Sequence, residues 1–148
     1  MSKEHYKAIP AVFLVLKKGN QILLLRRFNT GYQDGNYTFV SGHVEANEMP
    51  IDALIREAKE EANITLKRED IHLVHTMYRE GTDGMRMDLF FTADVWEGEI
   101  TNMEPNKCDD LQWFDLDQLP TNCIPFVNIL LAKLKEGISY SEVAIQHS

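Results

Sequence analysis

Apolar and polar positions along the chain fall into a few distinct rhythms. Ala8–Leu16 is a continuous apolar run of the kind a buried strand shows, and Gln21–Arg26 is a second. Lys18-Gly19-Asn20 between them reads as a hairpin turn. The stretch NTGYQDGNYTFVSG is dense in Gly, Asn and Asp and reads as a loop, with Tyr37–Val40 a short strand at its end. The period then changes. Ile51, Leu54, Ile55, Ala58 and Ala62 recur at helical spacing and form one apolar stripe, and Pro50 suits a first helical turn.

Ile71–Tyr78 and Met85–Trp96 read as two strands joined by REGTDG. In the second, Met87, Leu89, Phe91, Ala93 and Val95 alternate with Arg86, Asp88, Phe90, Thr92 and Asp94, which predicts one core face and one partly polar face. Glu97-Gly98-Glu99 turns the chain, WFDLDQLP reads as a closing strand and turn, and Ile124–Leu134 as an amphipathic helix. The tail EGISYSEVAIQHS is expected to be poorly ordered at its end. No repeat, low-complexity tract or linker divides the chain, so residues 1–148 read as one domain. Strands, a helix, strands and a last helix suit an α+β fold, a mixed sheet with helices on both faces.

Composition removes several function classes. A net charge of −8, from 15 basic against 23 acidic residues, argues against a nucleic-acid polymer as partner. MSKEHYKAIP lacks the apolar core of a signal peptide, and Val12–Leu16 is far too short to cross a bilayer. A cytoplasmic protein without a membrane partner is the expectation. Cys108 and Cys123 have no metal-ligand spacing and read as buried structural thiols. The five histidines show no paired-ligand pattern; His72 and His75, in one strand, should point to opposite faces.

The chemistry lies on the polar side of the first helix. Glu57 and Glu60 are three apart and Glu57 and Glu61 four apart, so their carboxylates are neighbours on adjacent turns. Such like charges repel, and more strongly if they line a cleft of low dielectric. Arg56 can relieve part of this by reaching Glu60, and Glu48 can lean over the first turns. A hard divalent cation would convert the repulsion into binding. Most Glu-rich helices, however, are simply solvated acidic faces, and EAKEE alone would favour that reading.

The whole constellation decides otherwise. Glycine, five residues, Glu, seven residues, then Arg-Glu-apolar-x-Glu-Glu resembles the signature of the Nudix hydrolases, here Gly42, Glu48, Arg56, Glu57, Ala58, Glu60, Glu61 and Ile64. Two positions depart from it. Asn63 stands where the family usually has Gly, a site that needs a left-handed backbone and for which Asn is the usual substitute. Val40-Ser41-Gly42 stands where many members carry Pro-Gly-Gly.

The resemblance implies the Nudix α/β/α sandwich with a mixed β-sheet and the motif as a loop-helix-loop. It implies Mg2+, with Mn2+ able to substitute, held by Glu57, Glu60, Glu61 and the Gly42 carbonyl, and Arg56 orienting the carboxylates. Family members differ in the general base; Glu60 and Glu104 are the candidates, Glu104 equally readable as an exposed loop acid. Arg26 is the candidate for holding a substrate phosphate. Tyr32 and Tyr37 are candidates for stacking a base, with core packing the better reading for Tyr37. Asn128 lies near where members acting on oxidised guanine nucleotides carry a base-reading residue.

The implied reaction is hydrolysis of a phosphoanhydride in a nucleoside diphosphate linked to another group. The favoured substrate is a nucleoside triphosphate, ordinary or oxidised, giving monophosphate and pyrophosphate. ADP-ribose, a nucleotide sugar or a dinucleotide is the alternative of the same class. A nucleotide-sensing module without catalysis is the alternative of another class, but such modules usually lose motif carboxylates and here all are present. Many members dimerise, so a homodimer is a possible assembly.

Overall fold

The computed structural model describes residues 3–145. Nine strands are present among the described residues: β1 (Ile9–Leu14), β2 (Lys17–Lys18), β3 (Gln21–Arg27), β4 (Tyr37–Thr38), β5 (Val40–His43), β6 (Ile71–Gly81), β7 (Gly84–Ala93), β8 (Cys108–Asp115) and β9 (Tyr140–Val143). The helices are α1 (Pro50–Ala62) and α2 (Pro125–Lys135), with a 3-10 turn at Arg68–Asp70.

The strands form two sheets. One has five strands in the order β5-β1-β7-β6-β9, with β1–β7 and β6–β9 parallel and the other pairs antiparallel. In the other, of four strands, β8 runs antiparallel along all of β3, and β2 and β4 pair with β3 antiparallel as well. The segment expected as one strand over Tyr37–Val40 thus divides between sheets: Tyr37–Thr38 pairs with β3, and Val40–His43 with β1.

The apolar runs of β1 and β3 are explained by burial on both faces. Val12, Leu14, Leu16, Leu23 and Leu25 pack with Ala53, Leu54, Ala58 and Ala62 of α1. The alternate positions Ala11, Phe13, Val15, Ile22 and Leu24 pack with Phe126, Val127 and Leu130 of α2. A strand sandwiched this way has no polar face to show, hence the missing alternation. The result is helix, strands, helix: an α/β/α sandwich with a mixed sheet. Truncating a side chain as enclosed as Leu54 (0% exposed) to Ala would cost about 2–5 kcal/mol.

Two expectations need correction. Strand β7 does not divide cleanly into core and polar faces. Phe90, Phe91, Ala93 and Asp88 are all buried while Val95 is exposed, because α1 and α2 cover opposite sides of the same sheet. His72 and His75 do not lie on opposite faces. A bulge at Val74 shifts the register, and they pair across from Thr92 and Phe90, which share a face. His72 is exposed, and His75 is buried with its ring nitrogens on the Ile138 carbonyl and the Ser141 hydroxyl. The C-terminal stretch contributes β9, which short local pattern could not reveal because its pairing with β6 is long-range. The expectation of poor order concerns the chain's last residues, 146–148, which lie outside those described.

Helix α1 begins at Met49 with Pro50 in its first turn. It ends at Asn63, which adopts φ 63°, ψ 26°, the left-handed conformation expected there. The amides of Asn63 and Ile64 return to the carbonyls of Lys59 and Ala58, satisfying the last turn. No helix of the described residues is long and apolar enough to cross a membrane.

Candidate active site

The motif folds as a turn clamped to a helix by one arginine. Glu45–Glu48 forms the turn, with the Glu48 amide on the Glu45 carbonyl and the Glu45 amide on the Glu48 carboxylate. Glu48 then takes Arg56 through both Nε (2.9 Å) and Nη2 (3.1 Å), a fork the guanidinium geometry favours. Nη2 also donates to the His43 carbonyl, and Nη1 donates to Glu57 (2.6 Å) and Glu60 (3.3 Å). The arginine holds the Glu48 carboxyl below the usual range. Arg56 is thus hydrogen-bonded to three of the motif carboxylates at once.

Glu57 and Glu61 turn inward from α1 beneath β5. The Glu57 side chain is 13% exposed and lies against Gly42. Glu61 accepts the Ser41 amide at 3.1 Å. Glu60 is 53% exposed and stays at the rim. Burial raises the Glu57 carboxyl, opposed by Arg56 and reinforced by Glu60 and Glu104. Burial likewise pushes Glu61 well up, with Glu57 and Glu104 adding repulsion, while the Ser41 amide and Arg27 pull the other way.

Glu104 reaches the same place from the loop before β8. That loop is tied to the end of α1 by Thr101 N–H on the Ala62 carbonyl and Met103 N–H on the Glu61 carbonyl. Asn102 holds it from the other side, accepting the Glu104 amide and donating to the Cys108 carbonyl. Glu57, Glu60, Glu61 and Glu104 line one cleft of about 520 Å³ with Arg27, Thr30, Arg56, Lys107 and Cys108. Burial raises the Cys108 thiol, in keeping with a structural sulfur. Among the described residues no three His, Cys, Asp or Glu side chains stand gathered as a finished metal cage. Glu57 is instead drawn to Arg56 and Glu61 to the Ser41 amide.

The four substrate-side expectations fare differently. Arg26 points away from the carboxylates. Its Nε pairs with Asp109 at 2.7 Å and its guanidinium lies over the Tyr37 ring. Of the two adjacent arginines, Arg27 is the one that lines the cleft. The parity of β3 carries the signal: Leu23 and Leu25 face α1, so residue 27 shares their side, whereas Arg26 shares the side of Leu24. Tyr37 is core, edge-on to Phe114 and bonded to Asp110, with its phenol pushed up to about 12, first by burial. Tyr32 lies outside the carboxylate cleft and lines a neighbouring pocket. Asn128 joins neither; it faces a separate cavity with Lys17, Asn20 and Asp117.

The loop carrying Tyr32 has its own clamp. The Asp34 carboxylate accepts the Thr30 hydroxyl and the amides of Thr30 and Gly31. The Arg27 Nε donates to the Tyr32 carbonyl at 2.6 Å, and its guanidinium lies 5.3 Å from the Tyr32 ring centre. Arg27 and Tyr32 together form the wall between the carboxylate cleft and the pocket beyond.

Comparison with known proteins adds to this geometry. The family described as NUDIX domain matches residues 7–133. The NAD-capped RNA hydrolase NudC of Vibrio parahaemolyticus is 30% identical over 136 residues, which are 91% of this chain and 49% of that protein. The ADP-ribose pyrophosphatase of Methanocaldococcus jannaschii is 31% identical over 113 residues, 75% of this chain and 65% of the relative. The chain thus spans about half the length of the first and less than two thirds of the second. Among solved structures, the MutT NUDIX hydrolase from Burkholderia pseudomallei aligns with a TM-score of 0.79 at 24% identity, covering 87% of this chain and 99% of that one, a likeness of fold.

Proposed function

The chain belongs to the NUDIX hydrolase family, and from that premise we propose that it cleaves a phosphoanhydride bond in a nucleoside diphosphate linked to another group. The preferred substrate is a nucleoside triphosphate, ordinary or oxidised, and the products are a nucleoside monophosphate and pyrophosphate. The observation that carries this reading is the meeting of Glu57, Glu61 and Glu104 with Arg27 in one cleft. So many carboxylates beside a polyphosphate are repulsive unless cations intervene.

The donor set fits a hard divalent cation. Glu57 and Glu61 are inward-turned carboxylates that burial and mutual repulsion disfavour in their charged form. Gly42 leaves the space in which the Glu57 carboxylate sits. Glu57 and Glu61, with Glu60 and the Gly42 carbonyl beside them, would hold Mg2+, or Mn2+ in its place. Bound there, the cation would neutralise phosphate charge and make a water more acidic. Arg27 is assigned to the phosphates from the opposite wall, taking the role first expected of Arg26. Glu104 is the better placed candidate base, since Glu60 sits at the rim under Arg56.

The names of the two relatives favour a second reading, in which a dinucleotide or ADP-ribose is cleaved instead. A panel with Mg2+ separates the two: nucleoside triphosphates, oxidised guanine nucleotides, ADP-ribose, NAD, a nucleotide sugar and an NAD-capped RNA. Pyrophosphate release from triphosphates is expected. Turnover confined to ADP-ribose or NAD would install the second reading. Absence of turnover with nucleotide binding retained would make the chain a sensor.

A further inference from the structure

Beyond the wall made by Arg27 and Tyr32 lies a pocket of about 210 Å³, lined by Tyr32, Phe126, Ile129, Val143 and Arg79 among others. Ligand pockets for drug-sized molecules run to roughly 300–1,000 Å³, so this one suits a single ring system. Its walls are largely aromatic and aliphatic, with the Glu80 carboxylate also among the lining residues, which suits a planar ring and poorly suits a phosphate.

One of the polar groups lining this pocket, beside Gln33, Glu80 and Thr82, is unusual. Arg79 lies on β6 and is 8% exposed. Its Nε donates to Asp88 on β7 at 2.6 Å, and its guanidinium lies 4.7 Å from the Phe126 ring centre. Asp88 is fully buried, and its Oδ1 has no hydrogen-bond partner among the described residues. An ion pair this deep costs more desolvation than a well-packed apolar pair would, so it is weak evidence of a stabilising device. Burial pulls the Arg79 guanidinium down, but Asp88 and the Tyr32 phenol more than compensate, so it stays charged. Asp88 and Phe126 thus hold a guanidinium in one orientation at the edge of a ring-sized slot.

We propose that this pocket is the base subsite and that Arg79, positioned by Asp88, selects a base whose edge presents carbonyl oxygen, guanine above all, over adenine. The assignment rests on the nucleotide-hydrolase reading and deepens it. A guanidinium carries five N–H donors and no acceptor. Guanine offers O6 and N7 to it as two acceptors, whereas adenine presents an amino group at the same place. Uracil and thymine offer O4. Tyr32 and Phe126 supply ring surface for stacking, and the Arg27–Tyr32 stack places the pocket next to the carboxylates, so that base and phosphates can be held together.

The test compares kcat/KM for GTP and UTP with that for ATP, and binding of GMP with that of AMP. The wild type should favour the carbonyl-bearing bases by about tenfold or more, the discrimination one bidentate contact supplies. Arg79→Gln, which offers both a donor and an acceptor, should bring the ratio near one. Should that variant not fold, Ile129→Trp fills the slot from α2 and is expected to raise KM about tenfold with little change in kcat. Equal use of ATP and GTP by the wild type, an unchanged ratio in folded Arg79→Gln, or an unchanged KM in Ile129→Trp would each overturn the proposal. Preferential GMP binding without any turnover would uphold the subsite and defeat the hydrolase reading instead. Turnover without base preference would do the reverse.

Discussion

Gly42 and Glu57 touch where β5 meets α1: a Cβ built on Gly42 would lie 2.3 Å from the Glu57 carboxyl carbon. No real Cβ contact is that short, so the absence of a side chain at 42 is what lets Glu57 turn inward. Gly42→Ala should therefore push the carboxylate out of the cleft while the rest of the fold stays intact. The expected result is a fall in kcat of at least about a hundredfold, with circular dichroism unchanged. Wild-type kcat would show that Glu57 can do its work from another rotamer.

Glu57 and Glu61 should each be indispensable if they hold the cation. Glu57→Gln or Glu61→Gln is expected to lower Mg2+-dependent kcat by about a hundredfold or more, the scale of losing one preorganised electrostatic group. Steady-state kinetics across a Mg2+ titration checks this. Near-normal turnover in either variant would remove that residue from the metal assignment.

Much of this site is legible in the sequence, and the reason is geometric. Glu48, Arg56, Glu57, Glu60 and Glu61 lie on one turn and one helix, where spacing in sequence fixes neighbourhood in space. Arg27, Arg79 and Asp88 lie on strands, and their meeting partners depend on register and on which sheet a strand joins. The parity of β3 could have separated Arg27 from Arg26, because Leu23 and Leu25 had to face one helix. The Val74 bulge and the β6–β9 pairing had no comparable local sign. Asn128 lines a cavity apart from the carboxylates, because position along α2 alone does not say which side faces the cleft.

The pH dependence of stability should carry the mark of the crowded carboxylates. Burial first, and repulsion second, raise the Glu57 and Glu61 carboxyls above the ordinary glutamate value of 4.5. A carboxyl raised in the fold binds more protons folded than unfolded, so stability rises as pH falls through the folded pKa towards about 4.5. The cation-free protein should therefore melt higher at pH 5 than at pH 7. Saturating Mg2+, which favours the charged forms, should flatten or reverse that slope. Glu61→Gln should also flatten it without metal. A wild-type slope identical to that of Glu61→Gln would contradict the shift.

Asn63 closes α1 in the left-handed region at φ 63°. A Cβ in that conformation costs up to about 1–2 kcal/mol, less for Asn than for most residues, whereas Gly adopts it freely and loses more entropy on folding. Asn63→Gly should thus gain a few tenths of a kcal/mol, a rise in Tm of about 1 °C, with kcat unchanged. Asn63→Ala should lower Tm by more than that. Calorimetry on the three proteins decides it, and a higher Tm for Ala than for Asn would contradict the left-handed assignment.

Arg26 and Arg27 are adjacent in sequence and opposite in consequence. Arg27 lines the carboxylate cleft and stacks on Tyr32, so it meets both the phosphates and the wall of the adjoining pocket. Arg26 faces the other side of β3, where Asp109 takes its Nε at a surface-exposed pair. Exposed pairs of this kind are screened by solvent and contribute little, so Arg26→Ala should leave both kinetics and stability nearly unchanged. Arg27→Ala removes a charged donor from the phosphates and loosens the Tyr32 loop. Its KM for triphosphates should rise about tenfold or more, in line with the loss of one charged hydrogen bond, and the increase should shrink with added salt. Equal effects of the two substitutions would mean that strand parity does not decide which arginine the substrate meets. A larger effect at Arg26 would return the phosphate contact to that residue and require β3 to present its other face.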